Sequence, residues 1–214
     1  MTRRRTVFAV LAIAIAGFAA AAFLYPRPEP AAAPPAPAAA VQLERFHSPT
    51  LGRQGAPVTI VEFFDPSCEG CRAFHPIVKQ ILAQYPDQVR VVMRYAAFHD
   101  GSDEAVRILE AARLQNLFQP VLEALYEAQP AWANHGQPNL EVAWQAAASA
   151  GLDVARARAD AQRPEIAATL KLDGEDVLAA GVKQTPTFFV NGKPLPSFGP
   201  QQLLDLVESE LDAS

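Results

Sequence analysis

The two cysteines of this chain stand three residues apart, in Cys68-Glu69-Gly70-Cys71. Before them come Val58-Thr59-Ile60-Val61-Glu62-Phe63-Phe64, a buried-strand pattern, and a turn at Asp65-Pro66-Ser67; behind them comes a helical pattern. Two thiols one turn apart, placed between a strand and a helix, have the spacing of a redox dithiol. The first would sit at a helix N-terminus, where unpaired backbone N–H groups and the helix dipole favour a thiolate. A thiolate attacks disulfides, and the second thiol can then attack the mixed disulfide and release the partner. On this reading Cys68 is the nucleophile and Cys71 the resolving thiol. No organic cofactor is needed, because the dithiol is itself the redox centre.

Other chemistries use the same residues. A structural zinc centre needs about four ligands, and only His47, His75, His99 and His135 are present to supplement the thiols. A copper- or zinc-handling module would use Cys68, Cys71 and His75, since His75 lies one helical turn beyond Cys71. A purely structural disulfide would close so small a loop that it restricts the unfolded chain little. Redox chemistry is preferred over all three, and no metal is expected.

The motif needs a sheet beneath it and a helix behind it. Ala73, Phe74, Ile77, Val78, Ile81 and Leu82 form one apolar face, which predicts a helix from Cys68 to about Tyr85. Pro76 should kink that helix. Val89 to Tyr95 reads as a second strand. A long helical pattern then runs from about Ser102 to Ala180. Breaks at Pro130, Gly136-Gln137-Pro138, Gly151 and Arg163-Pro164 predict four or five short helices, with Trp132 and Trp144 packed in the core. The sheet resumes at Thr185–Val190, turns at Asn191-Gly192 and returns over Lys193–Leu195. Gly199-Pro200 opens a final amphipathic helix. The order is βαβ, a helical block, then ββα.

From Val41 to Ser214 this pattern resembles the DsbA-like family of exported thiol–disulfide oxidoreductases. The likeness rests on Glu62 six residues before Cys68, on Phe63-Phe64, on Pro76 five residues after Cys71, and on Thr185-Pro186 followed by an apolar strand and Asn191-Gly192. It implies an α/β thioredoxin fold with a helical insertion, about residues 102–180, between the βαβ and ββα halves. It further implies a cis Thr185–Pro186 bond facing the cysteines, with both residues holding the substrate backbone. The implied partners are cysteine-containing exported proteins and a membrane redox partner that resets the active site. Glu62 is the family's buried acid, implied to assist proton transfer to or from Cys71. Its own surroundings agree: a carboxyl on so apolar a strand is desolvated and its pKa raised, unless the strand exposes that face.

One departure lies between the cysteines. The family's oxidases typically carry a histidine before the second cysteine, whereas this chain has Gly70, preceded by Glu69. A carboxylate beside the nucleophile opposes the thiolate, so a less depressed Cys68 pKa and a less oxidising disulfide are expected. Oxidation of exported proteins is the first expectation. A disulfide reductase or isomerase is the second.

The N-terminus bears on where this happens. Arg3, Arg4 and Arg5 precede an uncharged run from Thr6 to Tyr25, long enough to cross a bilayer and oriented with its basic end in the cytoplasm. Residues 1–25 thus read as a membrane anchor, or as a signal peptide cleaved near Ala19–Ala22. Residues 26–40 are a Pro/Ala-rich, semi-rigid linker. Residues 41–214 form the exported domain, expected to be periplasmic and tethered to the inner membrane through residues 6–25, where disulfide chemistry is permitted. The net charge of -5 and the lack of a basic stripe argue against nucleic acid. No dimerisation segment is visible, and a monomer is expected.

Overall fold

In the computed structural model, residues 42–214 are described; the expected anchor and the linker lie outside them. The elements in chain order are β1 (Thr50–Gly52), β2 (Val58–Phe64), α1 (Glu69–Gln84), β3 (Val89–Tyr95), α2 (Ser102–Arg113), α3 (Phe118–Trp132), α4 (Leu140–Ser149), α5 (Val154–Asp160), α6 (Pro164–Ala179), β4 (Thr187–Val190), β5 (Lys193–Pro194) and α7 (Pro200–Asp212). The sheet order is β1-β3-β2-β4-β5. β2 runs parallel to β3 and antiparallel to β4. As the central strand, β2 is covered on both faces, and every one of its residues is buried. That is why it reads as a nearly continuous apolar run rather than an alternating one.

Alternation along the strands sorts the two faces. Val58, Ile60 and Phe64, with Val91, Met93 and Tyr95, pack with the buried residues of α1, α2 and α3 in the larger core. Val61, Phe63 and Val92 pack with Val177 and Val182 in a smaller one. Glu62 therefore belongs to the face that α1 covers. This is a thioredoxin fold whose βαβ and ββα halves are separated by the helices α2 to α6.

Several local details differ from the sequence pattern. α1 begins at Glu69, with Cys68 as its N-cap, and runs unbroken through Pro76. Pro130 does not end a helix: α3 continues to Trp132. The proline removes a hydrogen bond only in the last turn, and that turn is held by Trp132, which is fully buried and donates its indole N–H to Leu125 O at 2.8 Å. β4 starts at Thr187 rather than Thr185, and the Thr185–Pro186 bond before it is cis. The hairpin turn has Asn191 at φ 47° and Gly192 at φ 82°, both left-handed as a type I′ turn requires. β1 was not expected; it pairs antiparallel with β3.

The sheet's second face carries a buried ionic cluster. Arg94, fully buried, donates to Asp173 Oδ1 at 2.9 Å and Asp176 Oδ2 at 2.6 Å. Its other terminal nitrogen reaches the carbonyls of Gln42 and Leu43 at 2.8 and 2.7 Å. Asp173 also pairs with His47 at 2.7 Å and accepts from Tyr95 N at 2.9 Å. These pairs let the charges be buried and pin both the segment before β1 and α6 to β3, behind the strands that carry the site.

Candidate active site

The turn from β2 into α1 is fixed by Asp65. Its carboxylate is fully buried and accepts from Ser67 N at 2.8 Å, Phe98 N at 2.8 Å, His99 N at 3.0 Å and Ser102 Oγ at 2.5 Å. The bond to Ser67 is the local Asx turn; the others clamp the turn to the loop after β3 and to the start of α2. His99 Nδ1 lies 2.7 Å from the same carboxylate. Burial disfavours the charged form of His99, but the Asp65 hydrogen bond and charge, with Cys68 and Glu69 behind them, raise its pKa on balance. Gln129 on α3 completes the clamp, donating to Pro66 O at 2.8 Å and Cys68 O at 3.0 Å.

This turn presents Cys68 at the head of α1, while Cys71 lies one turn in and is fully buried. Both thiols are free. Cys68 Sγ lies 3.2 Å from Thr185 O. Its pKa is lowered to about 5, first by the hydrogen bond from Cys71, then, against some desolvation, by Thr185 and the backbone N–H groups of Cys71 and Gly70. Cys71 moves the opposite way: burial pushes its thiol far up, and the bond it gives Cys68 and the charge of Glu62 add to that. One sulfur is thus held as a thiolate and its neighbour as a thiol.

Gly70 fits the space it occupies. A Cβ there would stand 3.2 Å from Pro186 Cδ and 3.5 Å from both Cys68 Sγ and Thr185 O, so any side chain would press on the Thr185–Pro186 loop. Glu69 follows Cys68 with an exposed side chain. Its carboxylate lies 2.9 Å from His135 Nε2, and its pKa is lowered first by its own backbone N–H and then by His135. Beside Pro186 opens an apolar recess of about 170 Å³, lined by Phe188, Pro194, Leu195 and Phe198 among others.

Glu62 is 2% exposed, beneath the cysteines on the covered face. Burial, followed by the charge of Cys68, raises its pKa to about 8. His75 is buried, and its ring packs on Tyr126 at 5.1 Å. Among the described residues no group of three or more His, Cys, Asp or Glu side chains is placed to hold a metal ion. The geometry therefore brings together Cys68, Cys71, Glu62, Thr185 and Pro186. Sequence reasoning missed Asp65, Tyr126 and Gln129. Asp65 looked like turn chemistry, and the other two lie on an insertion helix whose pattern reads as core.

The family model described as thioredoxin matches residues 45–209. A thioredoxin-like oxidoreductase from Silicibacter pomeroyi DSS-3 is 28% identical, with a TM-score of 0.69 over 81% of this chain and 97% of that one. Wolbachia pipientis alpha-DsbA1 shares the fold at 14% identity, with a TM-score of 0.70 over 79% and 94%. The Na(+)/H(+) antiporter NhaA of Herminiimonas arsenicoxydans is 33% identical over 144 residues, covering 67% of this chain but 22% of the antiporter. The chain spans less than a quarter of the length of such curated relatives.

Proposed function

The chain belongs to the thioredoxin family; from that premise we propose that it is a DsbA-like thiol–disulfide oxidoreductase that acts in the periplasm as an oxidase, introducing disulfides into exported cysteine-containing proteins. The observation that carries the direction is the surroundings of the Cys68 sulfur. Cys71 and the backbone N–H groups of Cys71 and Gly70, at the N-terminus of α1, favour its thiolate. Stabilising the thiolate stabilises the reduced dithiol, which makes the disulfide more oxidising.

The reaction runs in two exchanges. A client thiolate attacks Cys68 of the disulfide; the Cys68–Cys71 bond breaks, and its electron pair leaves on Cys71, which takes a proton. A second client thiolate then attacks the client sulfur of the mixed disulfide. Cys68 departs with the bonding pair, and a low leaving-group pKa speeds that step. The client has lost two electrons and two protons, the protein has gained two electrons, and a membrane redox partner removes them. Glu62 exchanges the proton with Cys71. Thr185 and Pro186 hold the client backbone in extended form, as an added strand would be held, with a client side chain in the apolar recess beside Pro186. Residues 6–25 tether the domain to the inner membrane.

The test is to mix the oxidised protein with a reduced, unfolded client bearing two cysteines. The expected result is a stoichiometric client disulfide and a reduced Cys68–Cys71 pair. If instead the oxidised protein leaves the client's thiols intact while the reduced protein opens client disulfides to completion, the direction is that of a reductase.

A further inference from the structure

A polar seam runs between α1 and α3, from the cysteines to the surface. On α1 it comprises Cys71, His75 and Lys79, each four residues apart; on α3 it comprises Gln129, Tyr126, Glu123 and Gln119, three or four apart. These spacings place each set on one helix face. The two sets meet in order. Gln129 bonds the Cys68 carbonyl, the Tyr126 ring packs on His75, and Glu123 Oε1 lies 3.9 Å from His75 Nε2 and accepts from Lys79 Nζ at 2.7 Å. The Glu123 and Lys79 side chains are 38% and 45% exposed, so the seam opens to solvent there. Gln119 caps that end, donating to Glu123 at 3.2 Å.

The interior of the seam is short of partners. Glu62 Oε2, Tyr126 OH, His75 Nε2 and Gln129 Oε1 are all buried and have no hydrogen-bond partner among the described residues. Buried polar atoms are costly unless bonded, and those not served by protein atoms are served by internal water. Two helices that could have met through leucines meet instead through a tyrosine, a histidine, two glutamines, a glutamate and a lysine.

We propose that this seam is the proton path of the resolving cysteine, in which Tyr126 and His75 connect Glu62, over intervening waters, to Glu123 and solvent. The proposal rests on the reading of Glu62 as the group that exchanges a proton with Cys71. When Cys71 attacks a mixed disulfide, its S–H proton passes to the Glu62 carboxylate. Its electron pair forms the bond to Cys68, and the pair of the broken bond leaves on the partner sulfur. Glu62 then returns to the carboxylate: Tyr126 OH accepts a proton on one side as it gives one up on the other, His75 does the same, and the proton leaves at Glu123. In client oxidation each transfer runs in reverse, and the proton enters.

The charges facing each relay group suit this. Tyr126 is faced by Cys71, Glu62, Asp65 and Cys68, which together with burial keep its hydroxyl protonated. His75 is faced by Glu123 and Lys79; burial lowers its pKa, so the ring is neutral near pH 7 and able to accept and donate. Both act through Glu62 and are positioning residues.

The test uses the reduced protein and oxidised glutathione, with acid quenching to separate formation of the Cys68 mixed disulfide from its resolution by Cys71. Tyr126→Phe removes one oxygen and keeps the ring. It should leave the first step unchanged, slow resolution about 10-fold, enlarge the solvent deuterium isotope effect on that step, and recover in added imidazole. His75→Gln should behave alike. If both variants resolve at the parent rate from about pH 5 to 9 while Glu62→Gln is slow, the seam is not the path, although Glu62 keeps its role. If Glu62→Gln itself resolves at the parent rate, the reading beneath the proposal fails.

Discussion

Cys68→Ser should abolish disulfide exchange, whereas Cys71→Ser should yield a protein that captures clients and cannot release them. The asymmetry comes from place and charge. Cys68 caps α1 with its sulfur at the surface end of the helix, and its pKa of about 5 leaves it as thiolate at neutral pH. Cys71 has no exposed surface, and its thiol is held protonated. Serine in place of Cys68 offers no anion near neutral pH, and Cys71 has no access to a client. Alkylation at pH 7 should therefore label Cys71→Ser at Cys68 within the mixing time and label Cys68→Ser at least about 100-fold more slowly, in line with the difference in thiolate content. Non-reducing gels of Cys71→Ser should show mixed disulfides. Equal labelling of the two variants would remove the asymmetry, and faster labelling of Cys68→Ser would reverse the roles.

Glu62→Gln should have two effects of opposite value. The carboxyl's pKa is raised from 4.5 to about 8 by burial and then by Cys68. Between those values the folded chain holds a proton that the unfolded chain has released. Stability is then fully present below about pH 4.5 and is lost as pH rises toward 8. At pH 7 the loss is up to about 3 kcal/mol, at 1.36 kcal/mol per unit. Glutamine removes that titration, so the variant should be more stable than the parent at pH 7 by up to about that amount, and equally stable near pH 4. Denaturant midpoints at the two pH values would read it. The same change removes the proton acceptor for Cys71, so resolution should slow by about 100-fold or more while the first attack stays near the parent rate. A variant that is neither more stable nor slower would place Glu62 outside the mechanism.

The parts of this fold visible in the sequence were those in which one segment contains its own reason. Cys68 and Cys71 sit between a strand and a helix, and β2 is apolar because both its faces are covered. Asn191-Gly192 is a turn because two consecutive residues must take positive φ. The parts that were not visible depend on distant partners. Glu69 looked set to face only the thiolate, and its contact with His135, sixty-six residues later, had no local sign. Asp65 read as a turn residue, and its clamp on His99 and Ser102 exists only once β3 lies beside β2. Arg94 sat in an apolar run with nothing to mark Asp173 and Asp176 as its partners. β1 pairs over only three residues, too short to show an alternation. Pro130 looked like a break because the burial of Trp132, which holds the last turn of α3, depends on the packing of the whole core.

The surroundings of Cys68 should favour its thiolate strongly enough to make the disulfide an oxidant. The direct measurement is the reduction potential of the Cys68–Cys71 pair, equilibrated in glutathione buffers at pH 7 and read by acid trapping of the thiols. The account predicts a value of about −180 to −120 mV, from the poise of disulfide isomerase up to that of DsbA. A value near about −270 mV, that of thioredoxin, would contradict it and make the protein a reductase.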